Sequence, residues 1–123
     1  MEMAVQSAES AFAAGDESLR FGNLDIYPSE FQVFADGRRV GLTVKEFETF
    51  MVLAARPDRV VRRAEIYERV WNRPMRPQDR SVDVFVKKVR QKLGRSAPDW
   101  TYIHTHFGVG YRFLPERSAP TRM

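Results

Sequence analysis

DRSVDVFVKKVRQKLG at 79–94, followed by YIHTHFGVGYRF at 102–113, sets an amphipathic helix before a glycine-turned hairpin. On a wheel of about 100° per residue, Val86, Val89 and Leu93 fall within about 40° of Val82, with Phe85 on the shoulder, so this stripe is expected to enter a core. The opposite face collects Arg80, Val84, Lys87, Lys88 and Gln91, flanked by Arg90 and Lys92. Asp79 stands where an N-cap belongs and Gly94 where a helix stops, which predicts a helix from Arg80 to about Leu93. Tyr102 to Phe107 and Tyr111 to Leu114 are β-type runs around Gly108-Val109-Gly110, the pattern of a terminal hairpin.

Upstream, Thr43-Val44-Lys45-Glu46 has capping-box spacing, in which hydroxyl and carboxylate each take an orphan backbone N–H. Phe47, Phe50, Met51 and Ala54 then recur at helical spacing until Arg56-Pro57. Arg59 to Arg62 is a short β-like run, and Ala64 to Trp71 reads as a second helix burying Ile66 and Val70. Asn72 to Gln78 contains Pro74 and Pro77 and is expected to be a loop. Nearer the N-terminus, Phe21 to Tyr27, Phe31 to Ala35 and Arg38 to Leu42 are β-type runs cut by Pro28-Ser29-Glu30 and Asp36-Gly37. Asp-Gly is a hairpin signal, and the alternation of Leu24, Ile26, Phe31, Val33, Val40 and Leu42 gives an antiparallel sheet with one packed face. The expectation is one α+β domain over 20–114, with an Ala/Ser/acid-rich tail or linker at 1–19 and a second tail at 115–123.

The whole chain of 123 residues carries a net charge of +4, which conceals a polarity. Residues 1–50 hold 4 Lys/Arg against 9 Asp/Glu, a balance of −5, whereas residues 51–123 hold 16 against 7, a balance of +9. Residues 80–95 alone supply six Lys/Arg against the single acid Asp83. A basic half suits a polyanion, and a B-form major groove admits one helix offering cations to phosphates and polar groups to base edges. With no cysteine there is no disulfide scaffold, thiol chemistry or cysteine-based metal site, and a reducing cytoplasmic setting is expected. Neither a secretory signal nor a membrane-length apolar run is present in the sequence, so no membrane partner is expected.

The order of parts, LTVKEFETFMVLA at 42–54, RVVRRAEIYERVW at 59–71, then the third helix and the hairpin, resembles the OmpR/PhoB-type winged-helix effector domain of bacterial two-component response regulators. With the preceding sheet the resemblance covers 20–114. It implies a winged helix-turn-helix that binds double-stranded promoter DNA, often as two copies head-to-tail on direct repeats, and touches RNA polymerase. It places Ser81, Val84, Phe85 and Lys88 near base edges. Trp71, Arg80, Lys87, Arg90, Thr105 and Tyr111 are placed at phosphates. Phe107, Gly108 and Gly110 form the wing turn, and Asn72, Arg73, Met75 and Arg76 the loop that meets polymerase. Three positions depart from the family pattern. Phe107 replaces the usual wing Arg or Trp, leaving an apolar or shape contact. Phe85 replaces polar or imidazole side chains and offers either a thymine-methyl contact or burial. RRAE opens the second helix without a Ser or Thr cap, leaving Glu65 to cap from the other side.

Plainer readings stand beside these. A charged helix face is often simply solvated, Trp71 is as well suited to a core as to a phosphate, and Asp83 lies between the two faces, where an ion pair within the domain is expected. His104 and His106 lie two apart on a strand, but two histidines without a third ligand are weak ground for a metal site. No phosphate-binding glycine loop, carboxylate pair or nucleophile motif points to an enzyme, and no cofactor is expected. A receiver domain of roughly 120 residues cannot fit before Arg20, so the chain reads either as the effector part of a longer protein or as a stand-alone regulator. A third reading is a protein-docking module in which DNA binding is secondary.

Overall fold

The computed structural model describes residues 18–118. Four short strands open the fold: β1 (Leu19–Phe21), β2 (Leu24–Tyr27), β3 (Gln32–Ala35) and β4 (Arg38–Val40), in antiparallel order β1-β2-β3-β4. The run expected from Phe21 to Tyr27 is two strands, folded back at Gly22-Asn23 so that Phe21 pairs with Leu24 and Leu19 with Ile26. Gly22 has φ +58° and its Cα faces the Trp100 ring, so a β-carbon there would be both strained and crowded. The Asp36-Gly37 hairpin is present, with Ala35 opposite Arg38. Leu24, Ile26, Val33, Ala35 and Val40 make the packed face.

Helix α1 (Val44–Ala54) starts at the expected capping box: Glu46 N–H donates to Thr43 Oγ1 at 3.2 Å and Thr43 N–H donates to Glu46 Oε1 at 2.9 Å. Strand β5 (Val60–Arg62) leads directly into α2 (Arg63–Trp71). The latter begins without a side-chain cap, and Glu65 turns outward to accept from Arg69 Nε at 3.0 Å instead of closing the N-terminus. Asn72, in the left-handed region, ends α2 and donates its N–H to Glu68 O at 2.8 Å.

Helix α3 spans Ser81–Ser96, one residue later at its start and three later at its end than the sequence pattern suggests. Arg80 is the N-cap residue, and Asp79 caps from one position earlier by accepting the Ser81 N–H at 2.8 Å. Gly94 does not stop the helix. Space around it is open, and the chain leaves helical geometry only at Ala97, whose conformation is restricted by Pro98. Strands β6 (Trp100–His106) and β7 (Gly110–Arg117) form the hairpin, and β7 also pairs with β5 to give a second sheet in the order β5-β7-β6. Leu19 and Pro115 to Arg117 are therefore strand residues, although they fall in segments expected as tails. Ser18 and Ser118 of those segments are described outside any strand, and 1–17 and 119–123 lie outside the described residues.

One core joins both sheets to the helices. Phe113 of β7 meets Phe50 of α1 edge-on at 5.5 Å and Phe21 of β1 at 5.2 Å. Val82, Val86, Val89 and Leu93 are fully buried, as their spacing predicts. Each such side chain contributes about 1.5–3 kcal/mol of burial, and together they fix how α3 is rotated against α1. That rotation decides which α3 side chains reach solvent.

Candidate nucleic-acid interface

Rotation about the α3 axis gives four faces. Core residues occupy one, and the outer face carries Val84 (46% exposed), with Arg80, Lys87, Lys88 and Gln91 all exposed. Ser81 is half-buried in the first turn, its N–H held by Asp79. The two flanks are the part that periodicity alone leaves open.

On the flank toward the hairpin, Asp83 gathers cations and a hydroxyl. Arg63 Nε donates to its Oδ1 at 2.8 Å, the Tyr111 hydroxyl donates to the same oxygen, and Arg80 Nη2 lies 3.2 Å from Oδ2. Burial pushes the Asp83 carboxyl upward, but hydrogen bonds from Tyr111 and Arg63 and the two guanidinium charges prevail and hold it below its ordinary value. Tyr111 is raised, first by burial and then by its bond to the carboxylate. The expectation of an internal ion pair for Asp83 is met.

Arg90, on the same flank, turns inward. Its Nε and Nη2 donate to Ile103 O at 3.2 and 3.0 Å, Nη2 also donates to Thr105 Oγ1, and the guanidinium lies 5.5 Å from the Tyr111 ring centre. Burial lowers its pKa from the ordinary value. Arg90, Thr105 and Tyr111, expected as three separate phosphate ligands, thus form one network tying α3 to the hairpin. The reason is position: Arg90 sits on the helix flank facing β6, where the Ile103 carbonyl accepts two of its donors.

On the other flank, Lys92 Nζ donates to Glu46 Oε1 at 2.7 Å, linking α3 to the α1 cap. Glu46 is almost completely buried; burial raises its carboxyl, and Lys92 and Thr43 more than reverse that. Arg90 and Lys92 are thus both held by acceptors of neighbouring elements, whereas Arg80, Lys87 and Lys88 are exposed along the helix's first three turns. Phe85 takes the middle course between the two expected roles: half-buried, it meets Trp71 edge-on at 5.4 Å with Lys88 Nζ 5.1 Å from its ring centre. Trp71 stacks on Tyr67 at 4.8 Å and stays half-exposed beside Lys45, whose Nζ donates to Val70 O at 3.0 Å.

The loop after α2 is partly held down. Arg73 Nε donates to the Tyr67 hydroxyl at 3.1 Å and Met75 packs against the core, while Asn72 and Arg76 are exposed. At the hairpin tip, Val109 N–H donates to His106 O at 2.9 Å, Gly108 has φ +77°, and the Phe107 ring is 91% exposed. Gly110 is needed for a different reason: a β-carbon there would run into the Val61 carbonyl of β5. A groove of about 240 Å³ lies between the hairpin and the start of α3, bounded by Arg63, Arg80, Asp83, His106 and Phe107. Arg63 was not among the residues expected here. Its partner lies 20 positions away, so no local sequence pattern marks it. His104 lies within reach of Leu114 O at 2.9 Å, and no cluster of metal-ligating side chains occurs among the described residues. No helix among them is long and apolar enough to cross a membrane.

Comparison with known proteins places this geometry. The family model described as "Transcriptional regulatory protein, C terminal" matches residues 37–113. The transcriptional regulatory protein SrrA of Staphylococcus aureus is 36% identical over 96 residues, covering 77% of this chain and 40% of SrrA. Among solved structures, the Klebsiella pneumoniae RstA DNA-binding domain in complex with the RstA box superposes with a TM-score of 0.72 at 30% identity, over 79% of this chain and 96% of that one. DrrB of Thermotoga maritima, an OmpR/PhoB homologue, matches with a TM-score of 0.67 at 37% identity, over 79% of this chain and 44% of its own. The chain spans 40% of the length of the SrrA proteins it matches.

Proposed function

Because the chain belongs to the transcriptional regulatory protein C-terminal family, the OmpR/PhoB-type winged-helix domains, we propose that it is the sequence-specific, double-stranded DNA-binding effector domain of a two-component response regulator. The observation that carries this is the outer face of α3, where Arg80, Lys87 and Lys88 surround Ser81 and Val84 beside an exposed hairpin tip. The α3 helix lies in the major groove, with Ser81, Val84, Phe85 and Lys88 toward base edges and Arg80, Lys87 and the Trp71 indole toward phosphates. The hairpin lies along the adjacent minor groove. Arg90, Thr105 and Tyr111 serve this interface by fixing the angle between helix and wing, and Arg63 stands beside Arg80 on the same groove. This is a binding function with no reaction attached, consistent with a family of regulators.

The partners proposed beyond DNA are a receiver domain elsewhere in the full protein, a second copy bound head-to-tail on direct repeats, and RNA polymerase at the loop of Asn72, Arg73, Met75 and Arg76. The setting is the cytoplasm. The test is fluorescence anisotropy against a duplex selected by this protein from a randomised pool. Lys88→Glu should lower specific affinity by about 1–3 kcal/mol or more, and wild-type log Kd should depend on log salt with a slope of about 0.9 per phosphate contact. Specific binding that survives Lys88→Glu refutes the assignment of α3, and absence of salt-dependent binding to any selected duplex favours the protein-docking alternative.

A further inference from the structure

Resting on the DNA-binding reading above, we propose that Phe107 is an apolar wedge that enters the minor groove and partly unstacks a base step beside the α3 site, so that this chain selects DNA for deformability at a step it does not read by hydrogen bonds.

Three observations support it. Phe107 is the most exposed large apolar side chain among the described residues at 91%, with Val109 (40%) two positions on, so the hairpin tip presents an apolar surface to water. The backbone that carries the ring is pinned. Val109 N–H closes the turn on His106 O, and Gly110 lies so close to the Val61 carbonyl that β7 is anchored against β5 directly beneath the tip. Finally, Phe107 borders the same groove as Arg63 and Arg80 at the start of α3, two guanidiniums against the one Asp83 carboxylate, so the tip is continuous with the proposed DNA face.

The chemistry follows from what a phenyl ring lacks. It can neither donate to the acceptors on the minor-groove floor nor neutralise phosphate, so lying along the groove would give it little. Inserting between bases removes the ring from water and stacks it on a π-face, and apolar wedges of this kind kink DNA toward the major groove. The cost of unstacking is lowest at pyrimidine–purine steps and highest in A-tracts, which turns insertion into sequence preference without base-edge contacts.

The test uses the whole chain and a selected duplex in which 2-aminopurine replaces an adenine at successive steps outside the α3 footprint. Wild type should brighten 2-aminopurine at one step about half a helical turn from that footprint. Phe107→Ala should abolish the brightening and weaken binding by about tenfold or more, with an unchanged melting temperature because the ring touches no core. Phe107→Leu should keep part of both effects. Phe107→Arg should keep affinity with a steeper salt dependence but lose the brightening, and replacing the contacted step by an A-tract should weaken wild type more than Phe107→Arg. Wild-type binding without brightening at any step overturns the wedge, as does a Phe107→Ala protein that binds and brightens like wild type. A Phe107→Ala defect confined to duplexes carrying two boxes also overturns it and assigns the ring to contact between copies. Absence of specific binding by wild type itself sinks the DNA-binding reading instead, so the two failures are distinct.

Discussion

Replacing Arg90 by Ala separates a phosphate ligand from a framework residue. The guanidinium donates to Ile103 O and Thr105 Oγ1 and stands over the Tyr111 ring. Taking the pair that shares Ile103 O as one, each charged hydrogen bond is worth about 1.5–3 kcal/mol and the ring contact about 0.5–1 kcal/mol, a gross loss of about 3.5–7 kcal/mol. Released side-chain entropy and relief of guanidinium desolvation return roughly 2–3 kcal/mol. The expected net destabilisation is about 0.5–5 kcal/mol, centred near 3 kcal/mol, which in a domain of roughly 100 residues lowers Tm by about 10 °C. Thermal unfolding followed by circular dichroism measures the first quantity. Anisotropy titration over a series of salt concentrations, below the unfolding range, measures the second: the slope of log Kd against log salt should stay within a few tenths of wild type, because no phosphate contact is removed. Arg90→Lys should recover only part of the stability, since an ammonium cannot span the two acceptors with a planar fork. A variant that melts like wild type but loses about one unit of salt slope would show Arg90 to be a phosphate ligand and refute the reasoning.

Other outcomes follow from the same framework. Glu46 and Asp83 have folded-state pKa values below their ordinary ones, so their contribution is fully present above the unfolded value of about 4 and is lost as pH falls through the lower folded values; Asp83→Asn should flatten the acid limb of a stability–pH curve. Tyr102, pushed up to about 12 by burial, contributes below its unfolded value of about 10 and loses that contribution as pH rises toward 12, so Tyr102→Phe should flatten the alkaline limb in chemical-denaturation midpoints. Gly110→Ala forces a β-carbon into the Val61 carbonyl and should cost about 1–3 kcal/mol, read as a lower urea midpoint with accelerated hydrogen exchange in β5 and β7. Glu46→Ala removes both the α1 cap and the partner of Lys92; a loss of about 2–4 kcal/mol is expected, and a urea midpoint equal to wild type would contradict the packing described for that flank.

The legible and illegible parts of this protein divide by the range of the interactions that set them. The α1 capping box, the Asp36-Gly37 hairpin and the buried stripe of Val82, Val86, Val89 and Leu93 depend on residues two to four positions apart, so local pattern suffices. Helix ends were less legible. Gly94 marks a stop only if nothing holds the next turn, and here the helix continues to Ser96 until Pro98 constrains Ala97. The fold-back at Gly22 was hidden because strands of three and four residues are too short to show an alternation of their own.

At the site, residue pattern is enough to make one helix face basic, its opposite face core, and the hairpin tip apolar. Lys87, Lys88 and Phe107 are exposed, the Lys88 ammonium resting over the Phe85 ring of its own helix. The flanks are set by packing between elements. Arg90 and Lys92 are as basic as Lys87 and Lys88, yet α3 packs with Arg90 over the Ile103 carbonyl and Lys92 over the Glu46 carboxylate. A cation on a flank takes whichever acceptor the neighbouring element brings within about 3 Å, and a buried acceptor left without a donor costs more than an exposed charge left in water. Which neighbour that is depends on contacts 13 and 46 residues apart along the chain, and helical periodicity carries no information at that range.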